Sequence, residues 1–347
     1  MNYLLFATLS YSYGILRPLQ DEIRRRGHRA VWYLEPSCED RLLPDEERVY
    51  TVDEVKNLNP VAVFAPGNYI PHFFPGVKVC LFHGYPIAKR PNARKDDHFN
   101  IRGWFDIYCT QGPAATIPFL ELERKHGFFK VYETGWAKND YFFDRPLDNT
   151  LHTPPTVLYS TTFTKGITSV YTVLPVIRAL AAKRNWNWVI IFHPKLTDPQ
   201  LIADYQQLDS DFDNVTFKRY GEGAKTYRQT DVMLCDSSSI IIEYMLMQKP
   251  VVTYRNTNPG PWLLDVQNTE DIESAIDKAL TYPSDLMAQV KKYVDNNDPY
   301  CDGHNCARIM DAVDDFIANH QDRMKSKPLN IIRKYKMRKQ FKYWRLK

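Results

Sequence analysis

Short apolar runs alternate with helical patterns along most of the chain, and this alternation constrains the fold more than any other feature. Examples of the apolar runs are YLLFA, VAVFAP and VKVCLF in the first half, and TVLYS, WVIIF and DVMLC in the second. Uninterrupted apolar strands of this length are typical of parallel strands that are buried on both faces. The pattern therefore predicts βα units built around parallel sheets, which is an α/β fold.

The length of 347 residues predicts two domains, because it exceeds what one ordinary core supports. A polar, proline-rich segment at 144–155, DRPLDNTLHTPP, is the predicted linker. We predict Rossmann-like domains at 1–148 and 149–322, followed by a basic aromatic tail at 323–347. Two doubly wound domains that face a central cleft are the GT-B architecture, in which ligands bind beyond the carboxyl ends of the strands.

Composition excludes some classes of protein. The chain contains no apolar run of about 18 residues, so no transmembrane helix is predicted. The apolar N-terminus is of strand length and lacks a basic start, which favours a first strand over a signal peptide. The six cysteines are scattered without a CxxC pair, which predicts buried free thiols in a reducing cytosol. Cys301, His304 and Cys306 lack a second ligand pair, so we predict no metal and no cofactor besides a nucleotide substrate.

Two histidines follow predicted strands. His83 ends a strand in LFHGYPIAKR, where it could act as general base on an acceptor hydroxyl or simply satisfy a turn. His193 ends another strand in IIFHPK, with Lys195 two positions later. A histidine and a lysine at a strand end suit the phosphates of a nucleotide donor, although a solvated strand end is the alternative.

The segment CDSSSIIIEY, residues 235–244, places an acid and three serines directly after a buried strand. We expect Asp236 or Ser237 to cap a helix that begins near Ser238. The amides of that first turn, the helix dipole and the hydroxyls of Ser237, Ser238 and Ser239 would then bind an anion. An ordinary capped helix is the alternative.

Two further residues extend this predicted donor site. Glu243 lies one and a half helical turns after the serines, where it could accept hydrogen bonds from a ribose diol or lie on the surface. Arg255 follows the next strand, in YRNTNPGPW, where it could add charge beside the phosphates or be merely exposed.

These elements resemble, in order, motifs of the CDP-glycerol:poly(glycerophosphate) glycerophosphotransferases, the teichoic-acid primase and polymerase family. The segment FHGYPIAKR is similar to the family's His-Gly-x-Pro-x-x-Lys element. The segment TGWAKNDYFF (134–143) resembles Thr-Gly-x-Pro-Arg-Asn-Asp, with Ala137 and Lys138 in place of proline and arginine. The resemblance continues through VLYSTTF, FHPK, CDSSSIIIEYMLMQKPVVTY and DGHNCARI, and covers about residues 75–315.

The resemblance implies transfer of glycerol phosphate, or a related polyol phosphate, from CDP-glycerol to a hydroxyl of a surface-glycan or lipid-linked acceptor, with release of CMP. It makes His83 and His193 the catalytic candidates and assigns the three serines to the donor. On the acceptor or phosphate side it places Lys89, Lys138, Asn139 and Asp140. The alternatives are a GT-B glycosyltransferase that uses a UDP- or CMP-activated sugar, and a non-catalytic nucleotide-binding protein of the same fold.

The C-terminal half also resembles UDP-GlcNAc 2-epimerases, through DSSSIIIEY, KPVVTYRNT and DPYCDG. An epimerase must break and remake a C–H bond, and that family carries a carboxylate soon after the histidine of its first domain. Here no acid follows His83 until Asp96. The sequence therefore favours a transferase with a similar nucleotide pocket.

The tail is strongly basic. Residues 323–347 contain 11 Lys and Arg and no Asp or Glu, so the remainder has 45 − 11 = 34 basic against 41 acidic residues. Basic residues interleaved with aromatic ones predict contact with an anionic membrane surface, with RNA binding or a disordered tail as alternatives. The predicted apolar face contains Ile331, Ile332, Tyr335, Tyr343 and Leu346. We therefore expect a cytoplasmic protein, peripheral to the inner face of the cell membrane, that binds no nucleic acid.

Overall fold

A computed structural model describes residues 1–85, 98–148, 150–193, 195–219 and 223–345. The strands are β1 (Asn2–Ala7), β2 (Arg29–Leu34), β3 (Ala62–Ala65), β4 (Val77–Cys80), β5 (Ile107–Thr110), β6 (Lys130–Glu133), β7 (Thr156–Ser160), β8 (Asn187–Ile191), β9 (Val215–Lys218), β10 (Val232–Cys235), β11 (Val251–Tyr254) and β12 (Leu264–Val266). The helices are α1 (Ser12–Arg25), α2 (Val52–Leu58), α3 (Pro113–His126), α4 (Val170–Lys183), α5 (Pro199–Asp211), α6 (Ala224–Arg228), α7 (Ile240–Leu246), α8 (Ile272–Leu280), α9 (Ser284–Asn297), α10 (Asn305–Asn319) and α11 (Ile331–Gln340).

The chain forms two compact units, each built on one parallel sheet. Of the described residues, unit 1 contains 1–85, 98–144 and 297–345, and unit 2 contains 145–296. The prediction of two α/β domains with parallel sheets is confirmed.

The sheet of unit 1 has the order β2-β1-β3-β4-β5-β6, with every neighbouring pair parallel. Leu4 and Leu5 of the central β1 are fully buried, as expected for a strand covered on both faces. The strand order reverses between β1 and β3, and ligands of such sheets bind beyond the carboxyl ends of the strands at that switch point.

The sheet of unit 2 has the order β12-β11-β10-β7-β8-β9, again with parallel neighbours. Counted from β7, this is the strand order of dinucleotide-binding sheets, and its switch point lies between β7 and β10. Tyr159 of β7 and Leu234 of β10 are neighbours in register, and both are fully buried. The sheet therefore brings the loops that follow β7 and β10 to the same edge.

The unit boundary differs from the predicted one at the C-terminal end. The first boundary lies at 144/145, close to the predicted 148/149, but residues 297–322 belong to unit 1 rather than to the second domain. The reason is a long-range helix cap. The carboxylate of Asp140 accepts hydrogen bonds from the backbone N–H groups of Asn305 and Cys306, both at 2.8 Å, and so fastens the start of α10 to unit 1.

The tail is also packed against unit 1. Met337 and Tyr343 are buried in its core, and the ammonium of Lys56 donates to the Tyr343 hydroxyl at 3.1 Å. The prediction that Tyr343 belongs to an outward apolar face is therefore wrong, and Leu346 lies outside the described residues. The alternative of a disordered tail does not hold for the part that forms α11.

Other sequence expectations concern the whole chain. All six cysteines are free and five are buried, so the prediction of buried thiols is confirmed. Within the described ranges, no helix combines the length and apolar character needed to cross a bilayer. The same ranges contain no group of three or more His, Cys, Asp or Glu side chains arranged to hold a metal ion.

Candidate functional site

Asp236 organises the switch point of the unit 2 sheet. It directly follows β10 and is fully buried. Its carboxylate accepts hydrogen bonds from the backbone N–H of Thr162 at 2.8 Å, and from the N–H and the hydroxyl of Ser169, both at 2.9 Å. The hydroxyl of Thr161 and the N–H of Ser237 complete the set. One side chain thus holds the loop after β7 against the loop after β10.

The environment of Asp236 suits an organising role better than direct contact with a charged ligand. Burial raises the pKa of Asp236 above its ordinary value, while the hydrogen bonds from Thr161 and the Ser169 backbone oppose that rise. The prediction that Asp236 or Ser237 caps a helix is wrong, because Asp236 is directed at the β7 loop instead. Helix α7 begins at Ile240. Its N-cap residue is Ser239, whose side chain makes no capping hydrogen bond.

The three serines have different surroundings. Ser237 is buried, and its Oγ accepts a hydrogen bond from the backbone N–H of Thr257 at 2.8 Å. Ser238 and Ser239 are half-buried, and the Ser238 hydroxyl makes no hydrogen bond within the described structure. The side-chain amide of Asn256 donates to the carbonyl of Asp236 at 2.7 Å. The loop after β11 therefore supports the serine loop.

Glu243 is not a surface residue. It is only 8% exposed and accepts a hydrogen bond from the Tyr227 hydroxyl at 3.4 Å. Buried Lys249 holds the end of α6, donating to the carbonyls of Tyr227 at 2.9 Å, Arg228 at 3.2 Å and Thr230. Burial lowers the pKa of Lys249 to about 8. Tyr227 is thus positioned by Lys249 and in turn positions the carboxylate of Glu243.

His193 and Lys195 contact the loop after β7. The ring of Phe163 lies 4.4 Å from that of His193, centroid to centroid, and 5.2 Å from the Lys195 ammonium. Nδ1 of His193 accepts a hydrogen bond from the backbone N–H of Lys195 at 3.1 Å. An accepting Nδ1 places the proton of a neutral imidazole on Nε2, which makes Nε2–H a donor suited to an anion.

Arg255 contacts the residue that follows β12. Its guanidinium donates to the carbonyl of Gln267 at 2.9 Å and lies 5.0 Å from the centre of the Tyr254 ring. Asn256 and Thr257, the next two residues, make the contacts with the serine loop instead. Within the described structure these contacts of Arg255 do not involve the serine loop, so its place beside a donor's phosphates stays a prediction.

In unit 1, His83 lies at the carboxyl edge of the sheet. Phe82 is buried and adopts a left-handed backbone conformation, with φ of 57°, and this turn leaves His83 exposed. Nδ1 of His83 lies 3.3 Å from the carbonyl oxygen of Pro66, and the ring is 5.5 Å from that of Tyr11. Since a carbonyl only accepts, this bond places the proton on Nδ1 and the lone pair on Nε2, the arrangement of a general base.

The residues predicted on the acceptor side, where the structure describes them, contact other residues of unit 1. Lys89 lies outside the described residues. Asn139 is fully buried, and its amide donates to the Tyr85 hydroxyl at 2.7 Å and to Asp298 at 2.6 Å. Asp140 caps α10, and the ammonium of Lys138 lies 5.3 Å from the centre of the Trp136 ring. The fold thus uses the amide N–H groups of Asn139 and the carboxylate of Asp140, and these contacts give no support to the prediction that the two residues face an acceptor.

Asp298 connects the His83 loop to the C-terminal segment. Its Oδ2 accepts hydrogen bonds from the Tyr85 hydroxyl at 2.9 Å and from Asn139. Burial raises the pKa of Asp298 to about 7. Tyr85 lies two positions after His83, so this network fixes the loop that carries the candidate base. The segment DPYCDG contains Asp298, but nothing local in the sequence indicates that it contacts residue 85.

The chain is similar in segments to two groups of proteins. Residues 162–314 match the family model of UDP-N-acetylglucosamine 2-epimerase. A stretch of 145 residues is 28% identical to the minor teichoic acid biosynthesis protein GgaB of Bacillus subtilis (strain 168). The match covers 38% of this chain and 16% of GgaB, which is a small part of the relative.

Solved structures resemble the chain over nearly its whole length. A variant of the wall teichoic acid polymerase TagF superposes with a TM-score of 0.61 at 12% identity, covering 92% of this chain and 90% of that one. The S. aureus MnaA–UDP co-structure gives 0.64 at 14% identity, with coverage of 94% and 100%. At these identities the likeness shows the fold, which is GT-B. The resemblance to teichoic-acid proteins and 2-epimerases is confirmed.

Proposed function

We propose that the chain is a transferase that moves glycerol phosphate, or a related polyol phosphate, from CDP-glycerol to a hydroxyl group. The observation that carries the proposal is the Asp236 network. It holds two loops together at the switch point of a sheet with dinucleotide-binding strand order, and that is where such sheets bind a pyrophosphate.

Residues near the Asp236 network supply the groups that a nucleotide-diphosphate donor requires. The Ser238 hydroxyl and Nε2–H of His193 donate hydrogen bonds to phosphate oxygens, and the exposed ammonium of Lys195 adds positive charge. The carboxylate of Glu243, held by Tyr227, accepts hydrogen bonds from the ribose hydroxyls. Phosphoryl transfer depends mainly on positioning and charge stabilisation, which these groups provide.

In the proposed reaction His83 is the base. Its Nε2 takes the proton of an acceptor hydroxyl while the hydroxyl oxygen attacks the β-phosphorus of CDP-glycerol. The bond between that phosphorus and the bridging oxygen breaks, CMP leaves with its electron pair, and a phosphodiester forms. His83 later returns the proton to solvent. A TagF structure soaked with CDPG, similar to this chain with a TM-score of 0.60, supports the choice of donor.

A 2-epimerase acting on UDP-GlcNAc is the second candidate, favoured by the match over residues 162–314 and by the likeness to the MnaA–UDP structure. Both functions need the same nucleotide pocket. The transferase is preferred because no carboxylate follows His83 before Asp96, whereas C–H chemistry needs an acid or base at the reacting carbon.

The acceptor we propose is a surface-glycan precursor or a lipid-linked hydroxyl at the inner face of the cell membrane. The segment shared with GgaB supports a role in teichoic-acid-like synthesis. The basic C-terminal segment supports a location of the reaction at the surface of an anionic membrane.

The test is a thermal-shift screen with CDP-glycerol, CDP-ribitol, UDP-GlcNAc and CMP-linked sugars, followed by product analysis. We expect CDP-glycerol to raise the unfolding temperature and to release CMP when an acceptor is added. His193→Ala should abolish the shift, and His320→Ala, which alters a histidine of α10's C-terminal end, should keep it. A shift with UDP-sugars alone, or conversion of UDP-GlcNAc to its 2-epimer, would overturn the proposal.

A further inference from the structure

Helix α11 is fastened to unit 1 by one side. Met337 and Tyr343 are buried in the core, and Phe341 packs against Phe73 and Phe74. At the same side, the amide of Gln340 donates to the carboxylate of Glu35. These contacts hold the segment in one orientation, so its opposite side is a defined surface.

That opposite side is apolar and exposed. We call it the C-terminal face; its residues are Leu329, Ile331, Ile332, Tyr335 and Trp344, between 53% and 75% exposed. Positions 331, 332 and 335 lie within about one helical turn and project to one side of the helix. The Tyr335 and Trp344 rings are 5.5 Å apart, centroid to centroid, so the face is continuous. A continuous exposed apolar surface of this kind indicates an interaction site.

Unpaired lysines accompany this face. Lys336, Lys339 and Lys342 are exposed, and within the described structure none makes an ion pair or a side-chain hydrogen bond. Other basic residues of the segment are used by the fold, since Lys327 binds Asp106 at 2.6 Å and Arg345 binds Asp53 at 3.2 Å. The face therefore combines apolar side chains, interfacial aromatics and uncompensated positive charge, the composition of helices that lie in an anionic lipid interface.

We propose that the C-terminal face docks on an anionic lipid surface, with Ile331, Ile332 and Trp344 entering the headgroup region and the three lysines pairing with lipid phosphates. Two adjacent isoleucines that are more than 70% exposed fit a lipid interior, whereas the phosphate backbone of a nucleic acid offers them no apolar partner. Gln340 contacts Glu35, which directly follows β2, so α11 reaches the sheet edge that also carries His83. Docking would present this edge of the sheet to a lipid-linked acceptor, a consequence that rests on the proposed function.

The experiment is flotation of the full chain with vesicles of phosphatidylglycerol and phosphatidylcholine, compared with vesicles of phosphatidylcholine alone. We expect flotation only with the anionic vesicles, and its loss at high salt. Ile331→Ser/Ile332→Ser should abolish it, and Lys336→Ala/Lys339→Ala should weaken binding about thirtyfold.

Matched controls alter equivalent residues elsewhere. Ile117→Ser/Ile317→Ser removes two other exposed isoleucines, and Lys278→Ala/Lys292→Ala removes two exposed lysines of unit 2. Both control variants should float as the wild type does. All variants should keep the wild-type unfolding temperature, because the altered side chains are exposed.

Flotation of the Ile331→Ser/Ile332→Ser variant at the wild-type level would overturn the proposal. Failure of the wild type to bind anionic vesicles, including a result in which it binds RNA instead, would also overturn it. The assay contains neither donor nor acceptor, so its outcome is independent of whether the proposed reaction occurs.

Discussion

The hydroxyl of Ser169 lies 2.9 Å from the carboxylate of Asp236, and this contact joins two loops that are 67 positions apart in the chain. Ser169 flanks the start of α4 after β7, and Asp236 follows β10. Because β7 and β10 are neighbours at the switch point, the contact fixes the shape of the edge where a donor's phosphates are proposed to bind.

Asp236→Ala should lower the free energy of unfolding by about 3 kcal/mol, because it leaves several buried donors without an acceptor. It should also abolish the thermal shift caused by CDP-glycerol. Urea unfolding monitored by circular dichroism measures the first effect. Asp213→Ala, an exposed acid of the same unit, should change stability by less than about 0.5 kcal/mol. Equal stability of the two variants would refute the organising role.

His83→Ala should lower turnover of CDP-glycerol by about a hundredfold to ten-thousandfold, because a general base contributes that much. Its affinity for the donor should stay at the wild-type level, since the donor is assigned to unit 2. Steady-state CMP release and a binding measurement separate the two effects, with His320→Ala as the control. Wild-type turnover in His83→Ala would remove His83 from the mechanism.

Glu243→Gln should weaken CDP binding about tenfold, because a charged acceptor of the ribose hydroxyls becomes a neutral one. The same substitution should matter little for 2′,3′-dideoxy-CDP, which lacks both hydroxyls. Fluorescence competition with the two nucleotides gives the comparison. If the variant weakens both equally, Glu243 acts on the pocket's structure and not on the ribose.

Asp298→Asn should flatten the pH dependence of stability between about pH 4 and pH 7. Burial raises the pKa of Asp298 to about 7 in the folded state, above the value of about 3.9 in the unfolded chain. The folded state therefore binds the extra proton in this window, and the stabilisation, on the order of 4 kcal/mol, is lost as pH rises to about 7. The amide cannot ionise, so the variant should lack this loss. Parallel slopes for wild type and variant would contradict the assignment.

Local sequence patterns predicted the parts of the fold that depend on local chemistry. The apolar strand runs, the linker near residue 145 and the strand-end positions of His83 and His193 followed from periodicity and turn residues. The sequence also shows that an acidic residue, Asp236, directly follows a strand predicted to be buried. Its actual partners, Thr161 and Ser169, could not be foreseen, because they depend on which strand lies beside β10.

The errors concern contacts over long sequence distance. The resemblance assigns Asp140 to the acceptor side, but its carboxylate caps α10, 165 positions later. Helical periodicity predicts Tyr343 on an outward face, but its side chain packs into unit 1 beside Lys56. Asp298 and Tyr85, which are 213 positions apart, also form a contact that no local pattern in the sequence predicts. The order of motifs along the chain does not show which polar atoms form hydrogen bonds within the fold.

Calorimetric titration of CDP-glycerol into the wild type and into Ser238→Ala tests the central claim most directly. The Ser238 hydroxyl makes no hydrogen bond in the described structure, so its removal should leave stability unchanged and weaken donor binding about tenfold. Ser210→Ala, which alters an exposed serine of α5, should bind as the wild type does. Binding of CDP-glycerol to Ser238→Ala with wild-type affinity, or no binding to the wild type, would contradict the account.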